Sequence, residues 1–414
     1  MIRIAIVGCG RILNAHLQGY KALLEKGLDF RIVALVARRH EDALMFLKRG
    51  EGPPPRPSVL DPTTGDPLAA PHTYLSDFQD VSDVAIYTDY RDMLRDNRVD
   101  AVNDFTPVYM HHQIGLDALR SGRHLLTEKP LAITVKAARQ MVEEANARHL
   151  TFAVFENLRS FPRTRALGWI AHSGLLGQVQ MAVGGSLGGL WSPDKIVAET
   201  PWRHRKLEAG GGATIDIGPH LFDLLRYILG EVQEVTAQVR TMEPVRRLRD
   251  AEGRVVKEVN CDVDDTYFAT ASFAGGAMAH LIWSWALHGT PVMIPAGFAL
   301  YGTFGSVVGD QVQLDDGTRG DLLQMFHDCA SPADLQGWVP LGLQDPSAIQ
   351  QYDWLRGIES GRAPETNGEE GLRDLAASFA LVESSFMGRT VTLDEILTGR
   401  VSAYQDEINA HYGI

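Results

Sequence analysis

Cysteine is scarce in this chain: Cys9, Cys261 and Cys329 are the only three among 414 residues. An odd number without metal-ligand spacing excludes a disulfide framework, and a reducing cytoplasm is the compartment expected. Positive charge is also in deficit, 39 Lys and Arg standing against 52 Asp and Glu for a formal net charge of −13. That balance disfavours nucleic acid or an anionic membrane as partner. The densest basic cluster, Arg246, Arg247 and Arg249, is followed by Asp250 and Glu252 and reads as a solvated hairpin. Unbroken hydrophobic runs are missing too. Residues 274–309 carry no Asp, Glu, Lys or Arg, but Gly275, Gly276, Gly289, Pro291, Pro295 and Gly297 interrupt them. The stretch therefore reads as consecutive buried strands and not as a membrane span. No cluster suits a metal, His204 being isolated from other candidate ligands. Met1-Ile2-Arg3-Ile4 enters an apolar run directly, which leaves no room for a signal peptide.

Apolar residues make up 45% of the chain, enough for substantial cores, and the length implies two or three domains. Residues 2–7 form a short apolar run, Gly8-Cys9-Gly10-Arg11-Ile12 follows, and a helical pattern continues through Leu17, Tyr20, Leu23 and Leu24. This is strand, glycine turn, helix. Gly8 permits the tight turn, and Gly10 lets the backbone approach a pyrophosphate at the positive helix N-terminus, beside Arg11 and Ile12. Leu13 takes the third glycine position, so looser helix–strand packing is expected there.

A second strand over 30–36 ends in Ala37, Arg38 and Arg39, where a dinucleotide site normally places an acid on the ribose hydroxyls. Two guanidiniums able to fork onto a phosphate, with no carboxylate to repel it, favour NADP over NAD. The competing reading has Arg38 stacked on adenine and Arg39 solvated. A third strand over 99–105 leads through Thr106, Pro107 and His111 into a helix over 114–119. The next strand delivers Thr127-Glu128-Lys129-Pro130. Between the second and third strands, residues 50–84 carry seven prolines, at 53, 54, 55, 57, 62, 67 and 71, which precludes a long helix. This insertion reads as an irregular surface excursion, with an active-site lid as the alternative, and its shortening is expected to leave the nucleotide core intact.

The order of these units, closed by Glu128-Lys129-Pro130, resembles the glucose-fructose oxidoreductase, inositol dehydrogenase and MocA family, abbreviated Gfo/Idh/MocA. Phe155-Glu156-Asn157, Arg159 and Pro162 resemble that family's entry into its second domain. Pro201-Trp202-Arg203, the run Gly210-Gly211-Gly212-Ala213-Thr214-Ile215-Asp216-Ile217-Gly218-Pro219-His220, Asp265-Thr266 and residues 301–306 extend the likeness over most of the chain. The resemblance implies an α/β Rossmann dinucleotide-binding domain over 1–150. It implies an α+β domain over 151–414, built on a large, mostly antiparallel open sheet that binds substrate and supports a homodimer or homotetramer. A second insertion spans 318–346, and Trp283 and Trp285 are expected to project from one face of a strand. Trp191 is an open choice between a sugar-stacking ring and a loop anchor.

The implied chemistry is hydride transfer between NAD(P) and a secondary hydroxyl or ketone of a sugar, inositol or related polyol. Hydride transfer needs a proton acceptor beside the reacting carbon. Asp216 and His220 resemble the family's catalytic pair, and four-residue spacing on a helix lets the carboxylate orient the imidazole. Pro219 requires that helix to start nearby. Lys129 would bind the reacting oxygen and His220 move its proton. The resemblance gives Glu128 to the nicotinamide ribose, Thr106, Pro107 and His111 to the nicotinamide half, and Asn157 and Arg203 to cofactor or substrate. Two alternatives stand beside this one: an NAD-dependent glycosidase using transient oxidation, and a non-catalytic dinucleotide sensor.

Overall fold

The first strand, β1 (Ile2–Val7), and the second, β2 (Phe30–Val36), are apolar almost throughout because both faces of the sheet they enter are covered. Between them runs α1 (Leu13–Glu25), which buries Leu13, Leu17, Tyr20 and Leu23 along one stripe. The unit continues through α2 (His40–Leu47), β3 (Ala85–Tyr87), α3 (Tyr90–Leu94), β4 (Ala101–Asp104), α4 (Val108–Arg120), β5 (His124–Glu128), α5 (Val135–Ala147) and β6 (Phe152–Phe155). The strands form one parallel sheet in the order β3-β2-β1-β4-β5-β6, the Rossmann order with its switch point between β1 and β4. The computed structural model describes residues 1–64, 66–188 and 196–414, so Trp191 lies outside the described residues.

The described chain divides into two units: 1–133, 137–157 and 339–372 make the first, and 134–136, 158–338 and 373–414 the second. The boundary read from sequence, with 1–150 in the first domain and 151–414 in the second, differs from this division at 134–136, 151–157 and 339–372. The helix Pro346–Ser360 returns to the first unit and packs on α1, where Gln351 donates from Nε2 to the His16 carbonyl at 3.0 Å. Gly19 makes this close approach possible, since a Cβ there would stand 2.4 Å from Gln351 Oε1. Such a return carries no local sequence signal. Leu13, at the third glycine position, is fully buried.

The 50–84 insertion holds three short 3-10 turns, Pro62–Thr64, Pro67–Ala69 and Leu75–Asp77, as its proline content requires. It is not peripheral to the nucleotide core. Arg56 donates from Nη1 to the Cys9 carbonyl at 2.9 Å, and Arg11 donates to the Pro57 carbonyl. Further along, Gln18 Nε2 donates to the Pro71 carbonyl at 3.1 Å. The insertion thus lies along the glycine turn and the exposed side of α1.

In the second unit, α6 (Pro162–His172) leads into β7 (Val179–Leu187), and three helices follow: α7 (Lys206–Ala209), α8 (Ala213–Asp216) and α9 (Gly218–Leu229). Strands β8 (Val232–Arg240), β11 (Thr266–Phe273), β12 (Met278–Ser284), β13 (Val292–Gly302), β14 (Gly305–Val308), β15 (Gln311–Leu314), β16 (Arg319–Asp321) and β17 (Val391–Thr392) join β7 in one nine-stranded sheet. Only the β7 and β12 pair is parallel; every other pairing is antiparallel. Strands β9 (Val245–Arg249) and β10 (Val255–Asn260) form a separate hairpin. Its Arg246 departs from the solvated reading, being 1% exposed and paired with Asp265 at 3.0 Å. Trp285 is buried and Trp283 half-buried, Trp283 standing opposite Tyr267 of the core.

Residues 318–346 form α10 (Leu322–Cys329) and α11 (Pro332–Trp338), anchored by Phe326 against Trp169 of α6 at 5.5 Å between ring centroids. Among the described residues no helix is long and apolar enough to cross a membrane.

Candidate active site

Parallel pairing aligns Val7 with Val36 and Asp104, and Asp104 with Thr127, so the loops after β1, β2, β4 and β5 leave the same edge of the sheet. That carboxyl edge is where open α/β sheets bind ligands. Gly8 adopts φ +102, and a Cβ on it would stand 2.7 Å from the backbone of Phe105; only glycine lets the turn pass so close. At Gly10 the missing Cβ points into open space, with nothing within 4 Å. Helix α1 then opens with Ile12 as a cap residue that makes no side-chain bond and with no acid in its first turn. The positive end of that helix is left for an anion, so the turn fits a pyrophosphate.

At the end of β2, Arg38 is exposed and has no hydrogen-bond or ion-pair partner among the described residues, whereas Arg39 forks onto Asp42 at 3.0 and 2.8 Å. A carboxylate that strand-end reading overlooked is therefore present, in the first turn of α2. Asp42 also takes Arg56, and the bonds from Arg39, then the field and bond of Arg56, hold its carboxyl below the usual range against partial burial.

After β4, Thr106 folds back on the fully buried Asp104, donating from its backbone N at 2.9 Å and from Oγ1 at 2.7 Å. Burial raises the Asp104 carboxyl, opposed by nearby His111 and by the Thr106 bonds. His111 is 1% exposed, with Nδ1 2.9 Å from the Pro130 carbonyl oxygen and Nε2 2.8 Å from that of Thr106. Both its nitrogens are thus committed to backbone, tying the Thr106 loop to the Lys129 loop from behind. His112 lies on the buried side of α4, where burial pushes it down to about 4.

Lys129 is half-buried and joined to Pro130 by a cis peptide. Glu128 before it accepts from the Lys129 backbone N at 3.1 Å on one oxygen and meets His16 Nε2 at 2.6 Å on the other. His16 was missed in the sequence reading. Its signal was available, a polar ring on the apolar stripe of α1 between Leu13 and Tyr20.

In the second unit, Asp216 ends α8 and His220 lies in the first turn of α9, with Pro219 at the helix start where its missing N–H costs nothing. The helix is interrupted at Ile217, so the two residues belong to successive helices and not to one. Arg203 donates from Nε to Asp216 at 3.2 Å and from Nη1 to Thr200 Oγ1 at 2.7 Å, its guanidinium lying over Trp202. Asn157 opens a 3-10 turn after β6. His204 is buried, accepts the Val197 N–H at 3.2 Å and is pushed down to about 4 chiefly by burial, which makes it a structural residue.

The glycine run is held from below by Asp264, which sequence reading also overlooked. Its carboxylate accepts from Gly212 N, Thr214 N and Thr214 Oγ1, each at 2.8 Å, and its own carbonyl accepts from Ala213 N at 3.1 Å. A Cβ at Gly212 would stand 1.6 Å from the Asp264 carbonyl oxygen.

A Rossmann sheet with an open glycine turn, followed by a second unit in which a large mixed sheet is joined by helices α8 and α9 carrying Asp216 and His220, defines a dinucleotide-dependent oxidoreductase. Residues 67–156 match the model of an oxidoreductase family with an NAD-binding Rossmann fold, and 165–308 match the GFO/IDH/MocA C-terminal domain. The chain belongs to the Gfo/Idh/MocA family and is an NAD(P)-dependent oxidoreductase. It is 26% identical over 330 residues to levoglucosan dehydrogenase of Pseudarthrobacter phenanthrenivorans, covering 75% of this chain and 84% of that one. It is 26% identical over 310 residues to 1,5-anhydro-D-fructose reductase of Ensifer adhaerens, covering 74% and 84%. The fold is similar to that of a levoglucosan dehydrogenase solved with NADH and levoglucosan, with a TM-score of 0.69 and 22% identity over 95% of this chain and 99% of that one.

Proposed function

We propose that this protein moves a hydride between NAD(P) and a secondary hydroxyl or ketone of a carbohydrate, inositol or related polyol. The observation that carries the reading is Glu128-Lys129-Pro130 at the carboxyl end of β5, its glutamate locked by His16 on the sheet edge that holds the glycine turn. The named relatives act on anhydrosugars, which supports a carbohydrate substrate.

When bound, the nicotinamide supplies the hydride donor or acceptor. Gly8, Gly10, Arg11 and Ile12 would hold its pyrophosphate, Thr106 and Pro107 its nicotinamide half, and Glu128 the adjoining ribose. The Lys129 ammonium donates to the reacting oxygen and favours negative charge there. In oxidation, His220 takes the hydroxyl proton on an imidazole nitrogen, and in reduction it returns one. Asp216, itself braced by Arg203, orients His220. Arg203 and Asn157 are the remaining candidates to meet cofactor or substrate. Arg38 at the end of β2 supports NADP in preference to NAD.

An open face of the large sheet supports a homodimer or homotetramer, because Phe268, Met278, Met181 and Tyr301 are exposed there on adjacent strands. Three free cysteines support a reducing, cytoplasmic setting.

The test is reduction of NAD+ and NADP+ by the folded protein against sugars, inositols and glycosides. Absorbance of reduced nicotinamide with at least one polyol is expected. Silence across the panel would sink the reading, and aglycone release without reduced cofactor would replace it with glycoside cleavage by transient oxidation.

A further inference from the structure

The insertion is built into the cofactor end of the first unit. Its Arg56 is half-buried, donates to the Cys9 carbonyl inside the glycine turn at 2.9 Å and pairs with Asp42 at the start of α2. It therefore spans the turn after β1 and the helix after β2, the two places between which a Rossmann fold seats the adenosine ribose. The cavity between insertion and α1, lined by Arg11, Asn14, Arg56, Ser58 and His72 among others, is only about 120 Å³. Ligand pockets usually run to roughly 300–1,000 Å³, so the insertion closes on the turn instead of forming a separate ligand site.

Charge counting shows what Arg56 adds. Asp42 takes both Nε and Nη2 of Arg39, so that pair is locally neutral and leaves Arg38 alone as a strand-end cation. Arg56 brings a further guanidinium to the same carboxylate, and the group of Arg38, Arg39, Arg56 and Asp42 carries a net positive charge. A phosphate monoester there would draw Arg56 and Arg39 off Asp42 onto a dianion, whereas a plain hydroxyl gives neither reason to move.

We propose that Arg56, carried by the insertion, is a cofactor-specificity residue that favours a 2′-phosphate on the adenosine ribose, and that Asp42 is its opposing partner. The inference rests on the dinucleotide-dependent reading above. It assigns the insertion a part in choosing between the two nicotinamide dinucleotides, and it makes Asp42 the residue that tempers the choice.

The experiment is fluorescence titration of the full chain with NADPH and NADH in the absence of substrate, comparing wild type, Arg56→Gln and Asp42→Asn. Arg56→Gln is expected to weaken NADPH about 10-fold more than NADH, the scale of one charge-assisted hydrogen bond. Asp42→Asn, which frees two guanidiniums, is expected to move the ratio of affinities the opposite way. Equal weakening of both dinucleotides by Arg56→Gln would overturn the proposal and reduce Arg56 to a brace for the turn. An unmoved ratio in Asp42→Asn would overturn it as well, and this arm stands even if Arg56→Gln does not fold. Failure of the folded wild type to bind either dinucleotide would defeat the cofactor reading itself, and this inference with it.

Discussion

His16 Nε2 lies 2.6 Å from Glu128 Oε1, joining the helix that follows the glycine turn to the strand that leads into Lys129. The imidazole is stacked on Phe105 at 3.8 Å between centroids and edge-on to Phe155 at 4.3 Å, so packing fixes the ring before the carboxylate meets it. Burial works to raise the Glu128 carboxyl, but the bond from His16 and the fields of His16, Lys129 and His111 prevail and hold it below the usual range.

The stability that Glu128 contributes is thus present above the ordinary glutamate value of about 4.3 and is lost as pH falls through its lower folded value. His16→Leu removes the largest opposing interaction and leaves burial less opposed, so the carboxyl rises. We expect a cost of about 1–3 kcal/mol at neutral pH. That deficit should shrink as pH falls through the wild-type value, since a protonated carboxyl no longer needs the pair; urea unfolding followed by circular dichroism at a series of pH values reads it. Superimposable pH profiles would show that the pair does not hold the glutamate.

Lys129→Met and His220→Ala are each expected to keep cofactor affinity while turnover falls. A positioned general acid or base contributes roughly 100 to 10,000-fold, and a loss of that order is expected for His220→Ala. Lys129→Met should be at least as severe if its charge stabilises the reacting oxygen. Cofactor titration and single-turnover hydride transfer on the same folded variants separate binding from chemistry. Near-normal hydride transfer in both would remove these residues from the mechanism.

Gly212→Ala tests the support beneath Asp216. The new methyl would stand 1.6 Å from the Asp264 carbonyl oxygen, so the turn or β11's approach must shift. A loss of about 1–3 kcal/mol in urea unfolding is expected from overpacking, together with reduced turnover as α8 moves. Wild-type stability would mean that the turn relaxes freely.

Arg38→Asp adds a carboxylate where a dinucleotide site usually has one and removes a guanidinium without a partner among the described residues. The ratio of kcat/KM for NAD over NADP should rise by roughly 10-fold or more. Equal losses for both cofactors would instead identify Arg38 as a stacking residue on adenine.

Local backbone demands and residue periodicity were enough to read much of this protein. Gly8 must be glycine for the positive φ of its turn, Pro219 must sit at a helix start, and the apolar runs of β1 and β2 require a sheet covered on both sides; each constraint is written within a few residues. The return of Pro346–Ser360 to the first unit, the seat of His16 on Glu128, Asp264 under Gly212, and Arg56 on the glycine turn are different in kind. These partners stand far apart in the chain, and a side chain's hydrogen-bond partner across such a gap is set by how the elements pack, which no local pattern encodes. The insertion shows the difference most clearly: its prolines announced an irregular excursion, and only the tertiary structure laid it against the turn that the cofactor needs.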